Sequence, residues 1–232
     1  MMRSSPTSTG DPLLVALQYG DSFFPSGTIS FSWGLETLVA EHTVTSAADV
    51  HRLVEGQLTC RWTTCDRPAL VGAYRAADAL DEVARIDNQL DALALSREMR
   101  QGGRRAGGAL LSVHVSLATP RAGDYRALVR AGDAPGQLAV VQGLVWRGVG
   151  LDERTASAVS GYTTCVGFVG AAIRLGLIGH VDGQRILSQT RLLLSQLLAE
   201  PPPPFDEVSV YTPAAEIAMM RHEVGQVRMF AN

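Results

Sequence analysis

The sequence predicts an all-α, single-domain helical bundle of about ten helices. Apolar residues recur at helical spacing along most of the 232 residues, as Val83, Ile86 and Leu90 do, and alternating strand patterns are almost absent. A chain of this length can bury about 70 % of its unfolded surface, which is enough for one large core. Runs of helices without strands are typical of a bundle.

Capping and turn residues predict several helix boundaries. An N-cap and a first-position proline, Asp11-Pro12, begin a short helix that ends near Tyr19. Ser46 and Asp49 resemble a capping box and begin the third helix, which Pro68 should break near Asp66. Further helices are predicted at about 70–77, 81–94, 96–118, 125–130, 137–149, 152–177, 182–199 and 213–221.

The two ends of the chain differ from the predicted bundle. Residues 1–10 form a Ser/Thr-rich tail that we expect to be flexible, and the tail lacks a basic and apolar leader, so we expect a cytoplasmic protein. The run Pro201–Pro204 is a stiff, extended spacer. Beyond it, the segment 205–232 is expected to be mobile alone and to become ordered against a partner.

One predicted helix is apolar enough to raise the question of a membrane. Residues 156–173 carry no charge and approach the length that spans a bilayer. They also contain several hydroxyl side chains and three glycines, whereas a lipid-facing segment would be more uniformly aliphatic. We therefore expect the central buried helix of a bundle and no membrane association.

The composition excludes several classes of function. The net charge of −3 argues against a nucleic-acid-binding protein. All twenty basic residues are arginine. Without lysine the chain can form neither a Walker A loop nor a pyridoxal-phosphate Schiff base.

No catalytic or metal-binding constellation is visible. His222-Glu223 begins like the H-E-x-x-H zinc motif, but Gln226 stands where the second histidine is needed. There is no G-x-S-x-G motif and no C-x-x-C pair. We therefore expect no enzyme, no cofactor and no metal site, and we interpret the remaining histidines as surface or capping residues, namely His42, His51, His114 and His180.

The stretch 23–36 differs most from the surrounding helical sequence. Three Phe and one Trp surround a Pro-Ser-Gly sequence. Pro25 fixes its own backbone and Gly27 can adopt positive φ, so a tight turn is predicted there. From these residues alone the turn could either pack onto a core or form a recognition surface.

A helix is predicted to resume after this turn, by about Ser30. Gly34 lies within it, and because glycine is unfavourable inside a helix, we expect it to permit a close approach of a backbone or side chain. Ser32 and Glu36, four residues apart, remain on a side that a partner could contact. The residues predicted on the buried face are Phe31, Leu35 and Leu38.

Two blocks at opposite ends of the chain carry a resemblance. The first is a Pro-x-Gly turn followed by aromatic residues and Ser-x-Gly-Leu-Glu, matched by Pro25, Gly27, Phe31, Ser32, Gly34, Leu35 and Glu36. The second is Met-Arg-His-Glu followed by Arg and Phe, matched by Met220, Arg221, His222, Glu223, Arg228 and Phe230. Together with the segments 97–105 and 174–184, these blocks resemble the urease accessory protein F family (UreF).

The chain departs from the pattern of this family at two places. Leu177-Ile178-Gly179-His180 stands where the family tends to have Pro-Leu-Gly-Gln, and Gln226 stands where it tends to have Tyr. The first departure concerns the packing of a turn and the second one contact of the C-terminal tail.

The resemblance implies an all-α, dimer-forming protein that is not itself an enzyme. It implies a complex with a second accessory protein, UreD (also called UreH), and with the nickel-chaperone GTPase UreG, which delivers nickel to the urease apoenzyme. Our main hypothesis is a scaffold that bridges UreD and UreG. The residues expected to bind partners are Ser32, Trp33, Glu36, Met220, Arg221, His222, Glu223, Arg228 and Phe230, and the structural turn comprises Pro25, Gly27 and Gly34.

Two alternatives remain open from the sequence. The chain could regulate the partner GTPase by supplying an arginine, since an arginine finger can accelerate GTP hydrolysis about 10³–10⁵-fold. It could also be an unrelated helical interaction domain.

Overall fold

The computed structural model describes residues 10–25, 31–223 and 230, and these residues contain α-helices and no β-strand. The all-α prediction is confirmed, and eleven α-helices lie in this part of the chain against about ten expected. They are α1 (Pro12–Gly20), α2 (Leu35–Ala40), α3 (Ala47–Gln57), α4 (Arg67–Arg75), α5 (Leu80–Leu93), α6 (Arg97–Ser116), α7 (Ala122–Ala131), α8 (Leu138–Gly148), α9 (Glu153–Arg174), α10 (His180–Leu197) and α11 (Pro213–His222). A π-helix, Leu58–Asp66, joins α3 to α4, and a short 3-10 helix covers Phe205–Glu207.

The predicted caps at the start of the chain are confirmed. The Asp11 carboxylate accepts a hydrogen bond from the backbone N–H of Leu13 at 2.9 Å and begins α1. Ser46 and Asp49 form a complete capping box at the start of α3. The carboxylate of Asp49 accepts several hydrogen bonds there, which lower its pKa to about 2.

The helix after the first turn begins later than predicted, at Leu35 instead of about Ser30. Trp33 and Gly34 have φ values of 53° and 85°, in the left-handed region. A right-handed helix cannot pass through two such residues. Gly34 is therefore the N-cap of α2, not an interior helical residue.

The predicted break near Asp66 is also wrong, because α3, the π-helix and α4 form one continuous helical run. Pro68 lies in the first turn of α4 and has no N–H to offer the carbonyl of Thr64 four residues earlier. That carbonyl accepts from the backbone N–H of Ser209 at 3.1 Å, and the Cys60 carbonyl accepts from Tyr211 at 3.0 Å. The C-terminal segment thus satisfies carbonyl groups of the π-helical region.

Two apolar clusters form the interior. The first lies among α4, α5, α6, α7 and α8 and includes Leu70 and Trp146. The second lies among α2, α3, α9 and α10 and includes Leu35 and Phe168. Helix α9 contributes to both clusters, with Ala156 in the first.

Helix α9 passes a length and composition test for a membrane span, and it is the one helix in the described ranges that does so. In its most apolar window, 56 % of the residues are buried inside the protein. Its position between the two clusters agrees with the prediction of a central buried helix.

His114 is not a surface or capping residue as the sequence suggested, because its side chain is fully buried. Its ring stacks on Tyr19 with 5.0 Å between ring centroids, and its Nδ1 lies 2.9 Å from the Thr119 hydroxyl. Burial lowers the pKa of His114 to about 4, because the charged imidazolium is poorly solvated there. The interior of the bundle therefore holds a neutral imidazole.

Candidate partner-binding site

Helix α11 packs against α2 and α6 and brings the C-terminal motif to the turn that precedes α2. Its inward face buries Ala215, Ala218 and Met219. Its outward face leaves Ile217 48 % and Met220 41 % exposed. The segment predicted to be mobile alone thus has a docked position within its own chain, which the sequence did not predict.

Gly34 lies directly against the backbone of α11. A Cβ atom built at Gly34 would lie 2.8 Å from the carbonyl oxygen of Ala215 and 3.3 Å from the Cβ of Ala218. The expectation that Gly34 permits a close approach is confirmed, and the approaching element is the C-terminal helix. Phe31, Leu35 and Leu38 are also buried, as the sequence predicted.

A histidine between two carboxylates connects the three elements. The Nδ1 atom of His222 lies 3.0 Å from a carboxylate oxygen of Glu98 on α6, and its Nε2 atom lies 3.2 Å from one of Glu36 on α2. The three side chains are 4 %, 6 % and 15 % exposed. We call His222, Glu36 and Glu98 the carboxylate–imidazole cluster.

Backbone groups join this cluster to the rest of the C-terminal segment. The carboxylate of Glu36 also accepts the backbone N–H of Phe230 at 3.2 Å. The backbone N–H of Glu98 donates to the Glu223 carboxylate at 3.0 Å. The guanidinium of Arg174 lies 4.2 Å from the centroid of the Phe230 ring, a cation–π distance. Both ends of the C-terminal motif are therefore held against the bundle.

The structure brings together most residues that the sequence singled out, but it buries several of them. Ser32 is fully buried, so the expectation that a partner contacts its side chain does not fit this conformation. Glu36 and His222 face each other and not solvent. Met220 and Arg221 are exposed, and Arg221 pairs with Glu41 at 2.9 Å.

The remaining predicted residues have varied positions. Trp33 is half-buried, with its ring centroid 5.3 Å from that of Phe31, and Pro25 is exposed. Glu223 pairs with Arg97 at 3.9 Å and Phe230 is buried. Gly27 and Arg228 lie outside the described residues, so their predicted roles stay predictions.

Sequence reasoning missed two residues of the site. Glu98 and Arg174 each lie in a segment with family resemblance, but neither carried a motif that assigned it a role. Their partners lie 124 residues away for Glu98, at His222, and at Phe230 for Arg174. Such long-range pairs leave no spacing signal in a single sequence.

The described residues contain no group of three His, Cys, Asp or Glu side chains arranged to hold a metal ion. Burial raises the pKa of Cys65 to about 12 and that of Cys165 to about 11, which keeps both thiols protonated at neutral pH. The chemistry that this site can offer is therefore hydrogen bonding, charge and apolar contact at a surface.

Comparison with known proteins identifies the family. The UreF family model matches residues 44–191. The protein named urease accessory protein UreF 1 from Brucella melitensis biotype 1 is 32 % identical over 226 residues, which cover 95 % of this chain and 92 % of that protein. This chain belongs to the UreF family. The urease accessory protein UreF of Trichodesmium erythraeum is 31 % identical over 94 % of this chain and 96 % of its own, and that of Bacillus sp. strain TB-90 is 30 % identical over 94 % and 98 %.

Membership of the UreF family confirms the resemblance drawn from the two end motifs and makes the chain a urease accessory protein. An unrelated helical interaction domain is thereby excluded. The match between residues 44 and 191 covers the bundle, and the longer alignments to relatives extend over nearly the whole chain.

Proposed function

We propose that this UreF-family protein is a non-enzymatic, cytoplasmic scaffold that bridges the accessory protein UreD and the GTPase UreG during nickel insertion into the urease apoenzyme. The single observation that carries the proposal is the joining of the two family motifs into one surface by the carboxylate–imidazole cluster. A surface of this kind suits recognition of another protein. It needs no cofactor, nucleic acid or membrane.

The exposed face of α11 is the part of this surface that UreD would contact. Ile217 and Met220 present apolar side chains, and Arg221 supplies a charge beside them. Apolar and arginine side chains of this kind are typical energetic anchors of interfaces. The buried residues Ser32, Glu36 and His222 would act indirectly, by holding α11 in place.

The test is capture of purified UreD by single-residue variants of this surface. Met220→Asp should weaken capture at least about tenfold, because a charge replaces an apolar contact at the interface. Leu192→Asp is the matched control, since Leu192 is 69 % exposed on α10, away from α11. Equal capture of UreD by both variants would overturn the proposal.

A surface variant is sharper than truncation at Pro204. Truncation would also remove Ala215 and Met219 from the interior and uncover the bundle. Loss of capture could then reflect damage to the fold. Circular dichroism and melting curves of Met220→Asp should match the unaltered chain.

The bridging role has its own test. UreG should bind the pre-formed complex with UreD, and GTP turnover by UreG should not change when this chain is added. A large acceleration that one arginine substitution abolishes would replace the scaffold with the arginine-supplying regulator.

We also propose that the protein forms a homodimer through α1. Leu13, Leu14 and Leu17 are all more than half exposed on this helix, and Phe23 follows it with 93 % exposure. Helix α1 carries no charged side chain, and a contiguous apolar surface of this kind marks an interaction site. Light scattering should give a dimer for the unaltered chain and a monomer for Leu17→Glu, while Leu192→Glu stays dimeric.

A further inference from the structure

The two hydrogen bonds of the carboxylate–imidazole cluster require two protons. An ionised carboxylate only accepts, and a neutral imidazole has one N–H, so a neutral His222 can donate to Glu98 or to Glu36 but not to both. With the imidazolium form both contacts are satisfied. Loss of one proton places a ring lone pair against a carboxylate lone pair in a buried site, which is costly.

The charged groups around His222 leave this role to its own ring. On α2, Glu36 faces the ring and Glu41 pairs with Arg221. On α6, Glu98 faces the ring, and Arg97 lies 3.9 Å from Glu223. Arg97 and Arg221 are 67 % and 60 % exposed and are paired with these other carboxylates. The imidazolium thus supplies positive charge between Glu36 and Glu98.

We propose that His222 is a proton-dependent clasp for α11. Docking of α11 against α2 and α6 takes up a proton on the imidazole ring, and loss of this proton as the pH rises loosens the helix. Because the carboxylate of Glu36 also accepts the N–H of Phe230, the same event frees the end of the C-terminal segment.

Release of α11 would open an internal cavity. A cavity of about 110 Å³ lies behind the helix, with Met219 of α11 and Trp33 of the preceding turn in its wall. Arg61 and Asp66 also line it and form an ion pair at 3.2 Å. Burial raises the pKa of Asp66. The docked helix therefore shields a polar interior from solvent.

The sign of the pH dependence follows from proton linkage. A docked state that binds one more proton than the released state weakens as the pH rises, by up to tenfold in the docking equilibrium per pH unit. Docking of α11 should therefore be tightest in mildly acidic solution and loosen towards alkaline pH, while the rest of the bundle stays folded.

The test is hydrogen–deuterium exchange on the full chain alone, between pH 6 and pH 9, with protection corrected for intrinsic exchange rates. Protection of amides in α11 should fall with rising pH by several-fold per unit, and protection in α8 should not. Glu98→Gln should abolish this slope, because the Gln amide can donate to Nδ1 of a neutral ring. A slope that is absent from the unaltered chain, or unchanged in Glu98→Gln, would refute the clasp.

Arg221→Gln is the matched control on the same helix. It removes the exposed pair with Glu41 and leaves the buried cluster intact, so the slope should persist. The inference rests on the proposed function only for its effect on partner binding. Because the exchange experiment uses no partner, failure of the clasp and failure of UreD capture are separate results.

Discussion

Gly34 and Ala215 lie 181 positions apart in the chain, and their backbones are in direct contact where α11 crosses the start of α2. A Cβ at position 34 would approach the carbonyl oxygen of Ala215 to 2.8 Å, and the φ of Gly34 is 85°. Both the contact and the dihedral angle exclude a larger residue. The glycine of the first motif is therefore a packing site for the C-terminal helix.

Gly34→Ala should release α11 without unfolding the bundle. A left-handed φ costs a non-glycine residue about 1–2 kcal/mol, and the contact with Ala215 adds to this. Exchange protection in α11 should fall at least about tenfold, while that of α8 is kept. Gly56→Ala is the control, because nothing lies within 4 Å of a Cβ there. Equal protection in the two variants would contradict the assignment.

Gly143→Ala should destabilise the whole protein. A Cβ at Gly143 on α8 would lie 2.1 Å from the backbone carbonyl oxygen of Leu70 on α4, so the two helices would have to separate. Overpacking of a core costs about 1–3 kcal/mol, and we expect the upper end here, measured by urea denaturation. Gly108→Ala on α6 has open space around its Cβ and should cost nothing. A midpoint shift of the same size in Gly108→Ala would count against this explanation.

Acid should weaken the fold through His114. Burial holds the pKa of His114 at about 4, below the ordinary value of 6.5. The unfolded chain therefore binds a proton at this residue before the folded chain does, so stability is lost as the pH falls from about 6.5 to about 4. The loss should reach about 3 kcal/mol.

This loss is measured from the free energy of unfolding in urea at several pH values. His114→Gln keeps a polar group near Thr119 but does not titrate, so its free energy of unfolding should fall less over this range. His51→Gln, at a half-buried residue of α3, should behave like the unaltered chain. Identical pH profiles for His114→Gln and the unaltered chain would disprove the role of His114.

Thr64→Val should loosen the C-terminal segment where it crosses the π-helix. The Thr64 hydroxyl donates to the carbonyl of Ser209 at 2.7 Å, beside the reciprocal backbone bond from Ser209 to the Thr64 carbonyl. A lost hydrogen bond of this kind is worth about 1 kcal/mol. Amide exchange at Ser209 and Tyr211 should accelerate about fivefold. Thr59→Val, which removes a bond within its own helix, should leave these amides unchanged.

Local signals predicted much of the fold because they act between residues close in the chain. The capping box of Ser46 and Asp49 formed as predicted. The predictions failed where a distant segment decided the outcome. Pro68 did not end its helical run, because the carbonyl that it leaves without a donor is satisfied by Ser209. His114 was read as a surface residue, although aromatic side chains of α1 and the following turn cover it.

The candidate site was predicted in its parts but not in its arrangement. The two motifs marked Glu36 and His222 as noteworthy residues, and the structure places their side chains 3.2 Å apart. Their expected exposure was wrong for Ser32 and His222, because docking of α11 covers them. Exposure depends on which elements pack together, and helical spacing alone cannot show this.

The sequence by itself determined that this protein is helical and that it belongs with the urease accessory proteins, because periodicity, caps and motifs are properties of neighbouring residues. Only the tertiary structure decided that α11 docks on the turn before α2 and that His222 lies between Glu36 and Glu98. These contacts join residues more than 120 positions apart. Their formation depends on the close packing of helices around the two clusters, which no local pattern encodes.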